Sequence, residues 1–181
     1  MDIAASRDAF RTGMRRVAGA VTIVTTADAA GERRGATATA VCSLTVDPPA
    51  VIACIARDSA VGRMAPESGI FTVNVLTGDQ RPVAETFAGR TGHVGDERFA
   101  VGDWTAGALG APRLAGAVAA FECRLEKAVE FATHVVLFGA VVGTVLGPAG
   151  LAPLVYVDGR FAGVADADVD AGSGQPDSPR G

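Results

Sequence analysis

The sequence predicts a mainly β protein, an antiparallel barrel with peripheral helices. Short apolar or β-branched runs recur along the chain, and most are separated by turn residues rather than by helices. About seven or eight such runs stand against two or three helical segments, without the strict alternation that a doubly wound sheet needs. No G-x-G-x-x-G follows a strand, so a dinucleotide fold of the Rossmann type is absent; the run Gly89-Arg90-Thr91-Gly92-His93-Val94-Gly95 has the wrong spacing.

Residues 6–17 predict a helix. Phe10, Met14 and Val17 fall at i, i+4 and i+7, giving one apolar stripe, and Ser6 can cap its start. Residues 21–26 are rich in β-branched side chains and read as a strand. A loop with Asp28, Gly31 and Glu32 leads to a second strand, residues 35–41, in which Thr and Ala alternate. Asp47-Pro48-Pro49 breaks the chain, because proline restricts itself and its predecessor. Residues 50–56 are continuously apolar and predict a strand buried on both faces.

Ser59 opens a short helix over residues 59–65, and residues 70–76 alternate as a strand. Residues 80–88 predict a helix with Pro82 in its first turn. Residues 89–112 are rich in Gly and polar side chains and read as an ordered loop anchored by Phe99 and Trp104. Two long strands follow at 116–131 and 134–146, then a hairpin, 154–157 with 160–164, around Asp158-Gly159. From residue 166 the chain carries four aspartates with Gly, Ser and Pro, and predicts a disordered tail. One domain is expected over residues 1–165 and a tail over 166–181.

Bulk properties exclude several classes. The formal net charge is −4 over 181 residues, and most of it comes from the tail, so the body has no basic surplus for nucleic acid. No apolar run reaches the ~20 residues that span a bilayer, and the first eight residues lack the apolar core of a secretory signal. Cys42, Cys54 and Cys123 lack the spacing of a disulfide framework or a zinc site. They read as buried free thiols, which fits a cytoplasmic location. With His93 and His134 the only histidines, a multi-histidine metal site is excluded.

Three segments carry chemistry. The first is Gly35-Ala36-Thr37-Ala38-Thr39-Ala40-Val41-Cys42-Ser43-Leu44, small residues running into a hydroxyl-bearing loop. It is either a tightly packed Ala/Thr strand or a surface on which a flat ring such as a flavin lies close to backbone donors. The second is Arg57-Asp58-Ser59-Ala60-Val61, where a strand ends at a helix start. It is either a simple N-cap beside a solvated arginine or a phosphate site. The third is Ala132-Thr133-His134, entering a long apolar strand. His134 is either a structural hydrogen bonder or a ring beside a nicotinamide.

In their order and spacing these segments resemble the flavin reductase-like family, the short reductase components of two-component flavin monooxygenases. The resemblance spans about Phe10 to Phe161. It also includes Gly19-Ala20-Val21-Thr22, Asp47-Pro48-Pro49, Phe71-Thr72-Val73-Asn74, Phe87-Ala88, Pro112-Arg113-Leu114, Phe121-Glu122-Cys123 and Gly159-Arg160-Phe161.

The resemblance implies an FMN-binding split β-barrel that forms a homodimer, with the flavin groove near the interface. It implies reduction of noncovalent FMN or FAD by NADH or NADPH, with reduced flavin passed to a partner monooxygenase. Thr37, Ala38, Thr39, Ala40, Val41, Cys42 and Ser43 would line the ring and ribityl chain. Arg57, Asp58, Ser59, Ala60 and Val61 would hold the phosphate. Phe87, Ala88 and Arg90 would approach the distal flavin. His134 would orient the nicotinamide, with Phe161 near the same pocket. Ala132 stands where the family has glycine, and Ala60 and Val61 supply fewer hydroxyls than is usual, shifting the phosphate contact toward Arg57 and backbone. No arginine cluster for a 2′-phosphate is visible in the sequence, which favours NADH. Three other readings stay open: a flavin enzyme acting directly on an organic substrate, a noncatalytic flavin-binding or redox-sensing module, and a structural β-barrel with no ligand.

Overall fold

A computed structural model describes residues 6–164; the expected tail lies outside them. Helix α1 (Arg7–Arg15) precedes strands β1 (Gly19–Ala20), β2 (Thr22–Ala27), β3 (Arg33–Ala38), β4 (Val41–Val46) and β5 (Pro49–Ala56). Helix α2 (Ala60–Ser68), strand β6 (Ile70–Val75) and helix α3 (Arg81–Phe87) follow. The rest is β7 (Trp104–Ala106), β8 (Pro112–Leu114), β9 (Ala119–Phe131), β10 (His134–Leu146), β11 (Leu154–Val157) and β12 (Arg160–Gly163). The strands outnumber the expected seven or eight because very short ones, β1, β7 and β8, form inside segments read as strand starts or loop, and because the second expected strand divides into β3 and β4.

Seven strands make one antiparallel sheet in the order β3-β2-β6-β9-β10-β5-β4. The two ends of that order, β3 and β4, are consecutive in sequence. Only Thr39 and Ala40 lie between them, so the sheet must curl round for the chain to pass from one edge to the other. The Cys54 N–H donates to the Ala40 carbonyl at 2.9 Å and fastens that corner to β5. The result is a split barrel, as the resemblance implies. Val24, Ala53, Ile55, Phe71, Val73 and Leu137 fill its interior. A second core, with Ile23, Leu76, Phe87 and Phe99, lies under α3 and the sheet β1-β11-β12.

Several expectations change. The stretch 35–44 is not one strand running into a loop. It breaks at Thr39–Ala40 and resumes as β4, because the chain must turn the corner of the barrel there. Strand β5 is buried on one face only: Val51, Ala53 and Ile55 point inward, while Ile52 and Cys54 are half-buried on the outside. The α1 stripe exists but is not covered by any of the described residues, since no residue of α1 is buried and Phe10, Met14 and Val17 are exposed. The thiols are not uniformly buried either: Cys123 is, Cys54 is partly, and Cys42 is exposed because it lies on the outward side of edge strand β4.

The loop over 89–112 is ordered as expected. Phe87, Phe99 and Trp104 form a three-ring cluster with centroids 5.0–5.3 Å apart. Arg33 grips this loop through a bidentate pair with Asp96, at 2.8 and 2.7 Å, and its guanidinium lies 4.6 Å from the Phe99 ring centroid. Hydrogen bonds from Arg33 hold the Asp96 carboxyl below its usual range. No helix among the described residues is long and apolar enough to cross a membrane. Among them no group of three or more His, Cys, Asp or Glu could hold a metal ion.

Candidate functional site

The corner at Thr39–Ala40 organises the site. Its side chains are small and exposed. The Ala40 carbonyl is spent on Cys54, but the N–H groups of Thr39 and Ala40 find no acceptor among the described residues. Two open backbone donors beside small side chains suit the polar edge of a flat heterocycle. Thr37, just before the corner, does not offer its hydroxyl proton, which it donates to the Ala84 carbonyl at 2.8 Å, locking β3 to α3.

On the Thr39 side a cavity of about 200 Å³ is lined by Thr37, Ala38, Thr39, Ala88, Arg90 and Phe161, together with Val21 and Tyr156. Six expected site residues from three parts of the chain thus converge. Phe87 does not join them. It is buried in the ring cluster, and its role is to hold Ala88 and Arg90 in place. A cavity of this size is smaller than the usual ligand pocket of ~300–1,000 Å³, so a nucleotide held here would stay open on one side.

On the Ala40 side, β5 leads to Arg57 and α2. Ser59 caps α2, its Oγ accepting from the Gly62 N–H at 3.0 Å. The Ala60 and Val61 N–H groups remain free among the described residues, as the first helical N–H groups do without an external acceptor. The Val61 side chain is fully buried in the barrel core, so it can serve a ligand only through its N–H. Arg57 is half-exposed, 3.4 Å from Asp58 and 3.8 Å from Glu130. The N-cap is real, and free N–H donors beside a guanidinium are groups suited to an anion. Arg63, which is not among the expected residues, donates from its guanidinium to the Asp58 carbonyl. Its i+4 spacing from Ser59 was the available signal.

His134 starts β10 opposite Ala56 of β5, and the Arg57 N–H donates to the Thr133 carbonyl at 3.0 Å. The imidazole is exposed, and its Nδ1 shares a hydrogen bond with Thr133 Oγ1 at 2.9 Å. His134 thus neighbours the Arg57 segment, and it does not line the cavity that holds Phe161. The preceding Ala132 adopts φ 50°, the left-handed region where glycine is at ease, so the turn keeps its shape at the cost of strain.

Val41, Cys42 and Ser43 lie elsewhere again. They line an apolar groove of about 460 Å³ with Val46, Phe121 and Val141. The site residues form three neighbouring patches joined by the corner: cavity, helix start and groove. Sequence reasoning missed two residues around Phe161, of which Tyr156 lines the cavity and Arg81 does not. Tyr156 packs against Phe161 at 5.2 Å, and Arg81 sets its guanidinium 5.4 Å from the Phe161 ring centroid. Their signal was tertiary, since α3 and the β11–β12 hairpin meet only in the fold.

Known proteins resemble this chain in sequence and in fold. The FMN reductase (NADH) RutF of Ancylobacter novellus is 44% identical over 162 residues, which cover 90% of this chain and 87% of that one. RutF of Pseudomonas syringae is 40% identical over 158 residues, covering 87% and 86%. Among solved structures, the Streptomyces globisporus NADH:FAD oxidoreductase in complex with NAD and FAD fragments superposes with a TM-score of 0.80 at 32% identity, covering 90% of this chain and 96% of that one. The flavin reductase component of a bacterial two-component tryptophan halogenase superposes with a TM-score of 0.80 at 31% identity, covering 89% and 99%. The profile of the flavin reductase like domain matches residues 14–165, from the end of α1 past the last strand, so the chain belongs to the flavin reductase like domain family.

Proposed function

We propose that this chain reduces noncovalent FMN or FAD with NADH or NADPH and supplies reduced flavin to a separate monooxygenase component. The observation that carries this reading is the Thr39–Ala40 corner, with its two free N–H donors between a ring-sized cavity and a helix start bearing Arg57. Family membership and the named activities of the relatives support it.

When bound, flavin supplies an electron-accepting N5 that takes hydride from nicotinamide C4, and the reduced ring is the product. The protein binds and orients. Thr39 and Ala40 donate to the ring's polar edge, and Ala38 and Ala88 let the ring approach backbone. Arg57 with the Ala60 and Val61 N–H groups holds the phosphate. His134 orients the nicotinamide; as no protein nucleophile is needed, it is a positioning residue. Three free thiols suit a reducing cytoplasm.

The active unit is a homodimer. Several apolar features find no cover among the described residues: the α1 stripe, the outer face of β5, and the groove beside Val46, which is 83% exposed. A second copy would bury them and close the open side of the cavity. Light scattering at the monomer mass would overturn this.

Absorbance spectra of protein with FMN or FAD, before and after anaerobic NADH, test the activity. Bleaching without an organic acceptor is expected. A flavin that stays oxidised would replace the reading with a noncatalytic flavin module.

A further inference from the structure

Phe161 lies between two cations of unequal standing. The Arg90 guanidinium sits 5.5 Å from its ring centroid and 6.0 Å from that of Tyr156, and Nη2 donates to the Tyr156 hydroxyl at 3.4 Å. Arg90 has no carboxylate within 4.0 Å among the described residues. Arg81 approaches the same ring at 5.4 Å, but its Nε is held by Glu85 Oε1 at 2.9 Å, one turn along α3. One ring therefore carries one free cation and one neutralised cation. The unpaired Arg90 leaves the cluster with a positive charge that an anion would balance.

The flavin phosphate has its own donors at Arg57 and the start of α2, reached through Ala40. The Phe161 cluster is reached through Thr39, on the other side of the corner. Two separate anion subsites match two phosphate-bearing ligands, and the second ligand is the pyridine dinucleotide. This step rests on the proposed reaction.

We propose that Arg90 contacts the phosphate of the pyridine dinucleotide beside Phe161, and that Glu85 sets the preference for NADH by withholding Arg81 from a 2′-phosphate. With Glu85 in place the local charge is +1, enough for one phosphate contact. A 2′-phosphate brings further negative charge toward Glu85 and finds Arg81 already engaged. The sequence showed no arginine cluster because Arg81 and Arg90 lie nine positions apart and meet only across Phe161.

The test is Glu85→Gln, which trades one exposed i,i+4 ion pair for a neutral amide of the same shape and should not threaten folding. Affinity for 2′,5′-ADP should rise about tenfold by calorimetry, with 5′-AMP unchanged, and kcat/KM for NADPH relative to NADH should rise by a similar factor. Adding Arg81→Ala should erase the gain. Arg90→Ala should raise KM for NADH about tenfold and leave KM for reduced nicotinamide riboside, which carries no phosphate, unchanged. A coenzyme ratio and 2′,5′-ADP affinity that do not move in Glu85→Gln would overturn the proposal. So would an Arg90→Ala effect confined to FAD over FMN affinity, which would give the subsite to the flavin. Wild-type protein that fails to oxidise NADH with flavin would instead overturn the parent reading.

Discussion

The ring of Phe87 fills the space that a side chain on Gly35 would occupy: a Cβ there would lie 2.3 Å from Phe87 Cε1 and 2.6 Å from Cδ1. This contact sets how closely α3 approaches β3, and so where Ala88 and Arg90 stand over Thr37 and Thr39. Gly35→Ala must push the ring out of its cluster. Overpacking of this kind costs about 1–3 kcal/mol, read as a lower urea midpoint, and flavin affinity should fall with it. Phe87→Leu added to Gly35→Ala should recover part of both losses, because the two positions are in contact. Independent, additive effects would show that the contact does not position the cavity.

Ala132 holds φ 50° in the turn before His134. Its Cβ is strained there by about 1–2 kcal/mol, against which glycine loses more backbone entropy on folding. Ala132→Gly should stabilise the protein by about 0.5–1 kcal/mol and leave the Michaelis constant for NADH within about twofold. Thermal melts and steady-state kinetics check this. A destabilised variant would mean that the turn gains more from a stiff chain than it loses to strain.

What the sequence revealed depended on whether one residue differed enough from the next. Ile70–Val75 and His134–Leu146 alternate or run apolar, and both form where expected. Thr37 to Ala40 could not show where a strand ended, because its Thr/Ala alternation separates the faces by a hydroxyl alone. The break after Ala38 is imposed by barrel closure, a constraint on the whole sheet. Phe87 and Ala88 were read together as site residues, but α3 ends between them, and one turns into the core while the other faces the cavity. Stripe and cap fixed α1 as a helix without saying what it meets. Arg81, Tyr156 and Arg90 were invisible as a group because their meeting requires α3 and the last hairpin to pack.

Cys123 gives the fold an alkaline weakness. It is fully buried in the barrel, and burial, with Glu122 beside it, pushes its thiol up to about 12. The folded state binds this proton more tightly than the unfolded chain, whose thiol titrates near ~8.5. The resulting stability is complete below that pH and is lost progressively as pH rises toward 12. Cys123→Ala should have a lower midpoint at pH 7 and a shallower decline between pH 9 and 11 than the parent. Parallel declines would show that Cys123 is not the group responsible.

Arg57 already answers to Asp58 and Glu130 at 3.4 and 3.8 Å, so a bound phosphate must compete with two carboxylates. Arg57→Ala should therefore weaken FMN binding by about tenfold, the low end of a charge-assisted contact worth ~1.5–3 kcal/mol. Glu130→Gln should tighten it by releasing the guanidinium, most visibly at low salt. Fluorescence titration of flavin onto each variant reads both shifts. Equal affinity in all three proteins would place the phosphate away from Arg57.

His134 separates a positioning role from a structural one because the imidazole is exposed and its one hydrogen bond is to the adjacent Thr133 hydroxyl. Removing it leaves no buried partner unsatisfied, so His134→Ala should shift stability by less than about 0.5 kcal/mol. The place of His134 in the fold comes from backbone pairing with Ala56 and Phe131, which alanine preserves. Flavin affinity should also hold, since the donors assigned to flavin lie at Thr39, Ala40 and Arg57. Nicotinamide placement should suffer, because hydride transfer requires reacting atoms at about 3–3.5 Å and small misplacements cost orders of magnitude. Stopped-flow bleaching at saturating flavin should show a higher apparent Michaelis constant for NADH, a slower limiting rate, or both. His134→Gln should recover part of the loss if a single side-chain hydrogen bond does the orienting. Parent kinetics per flavin-loaded molecule in His134→Ala would remove His134 from the nicotinamide site.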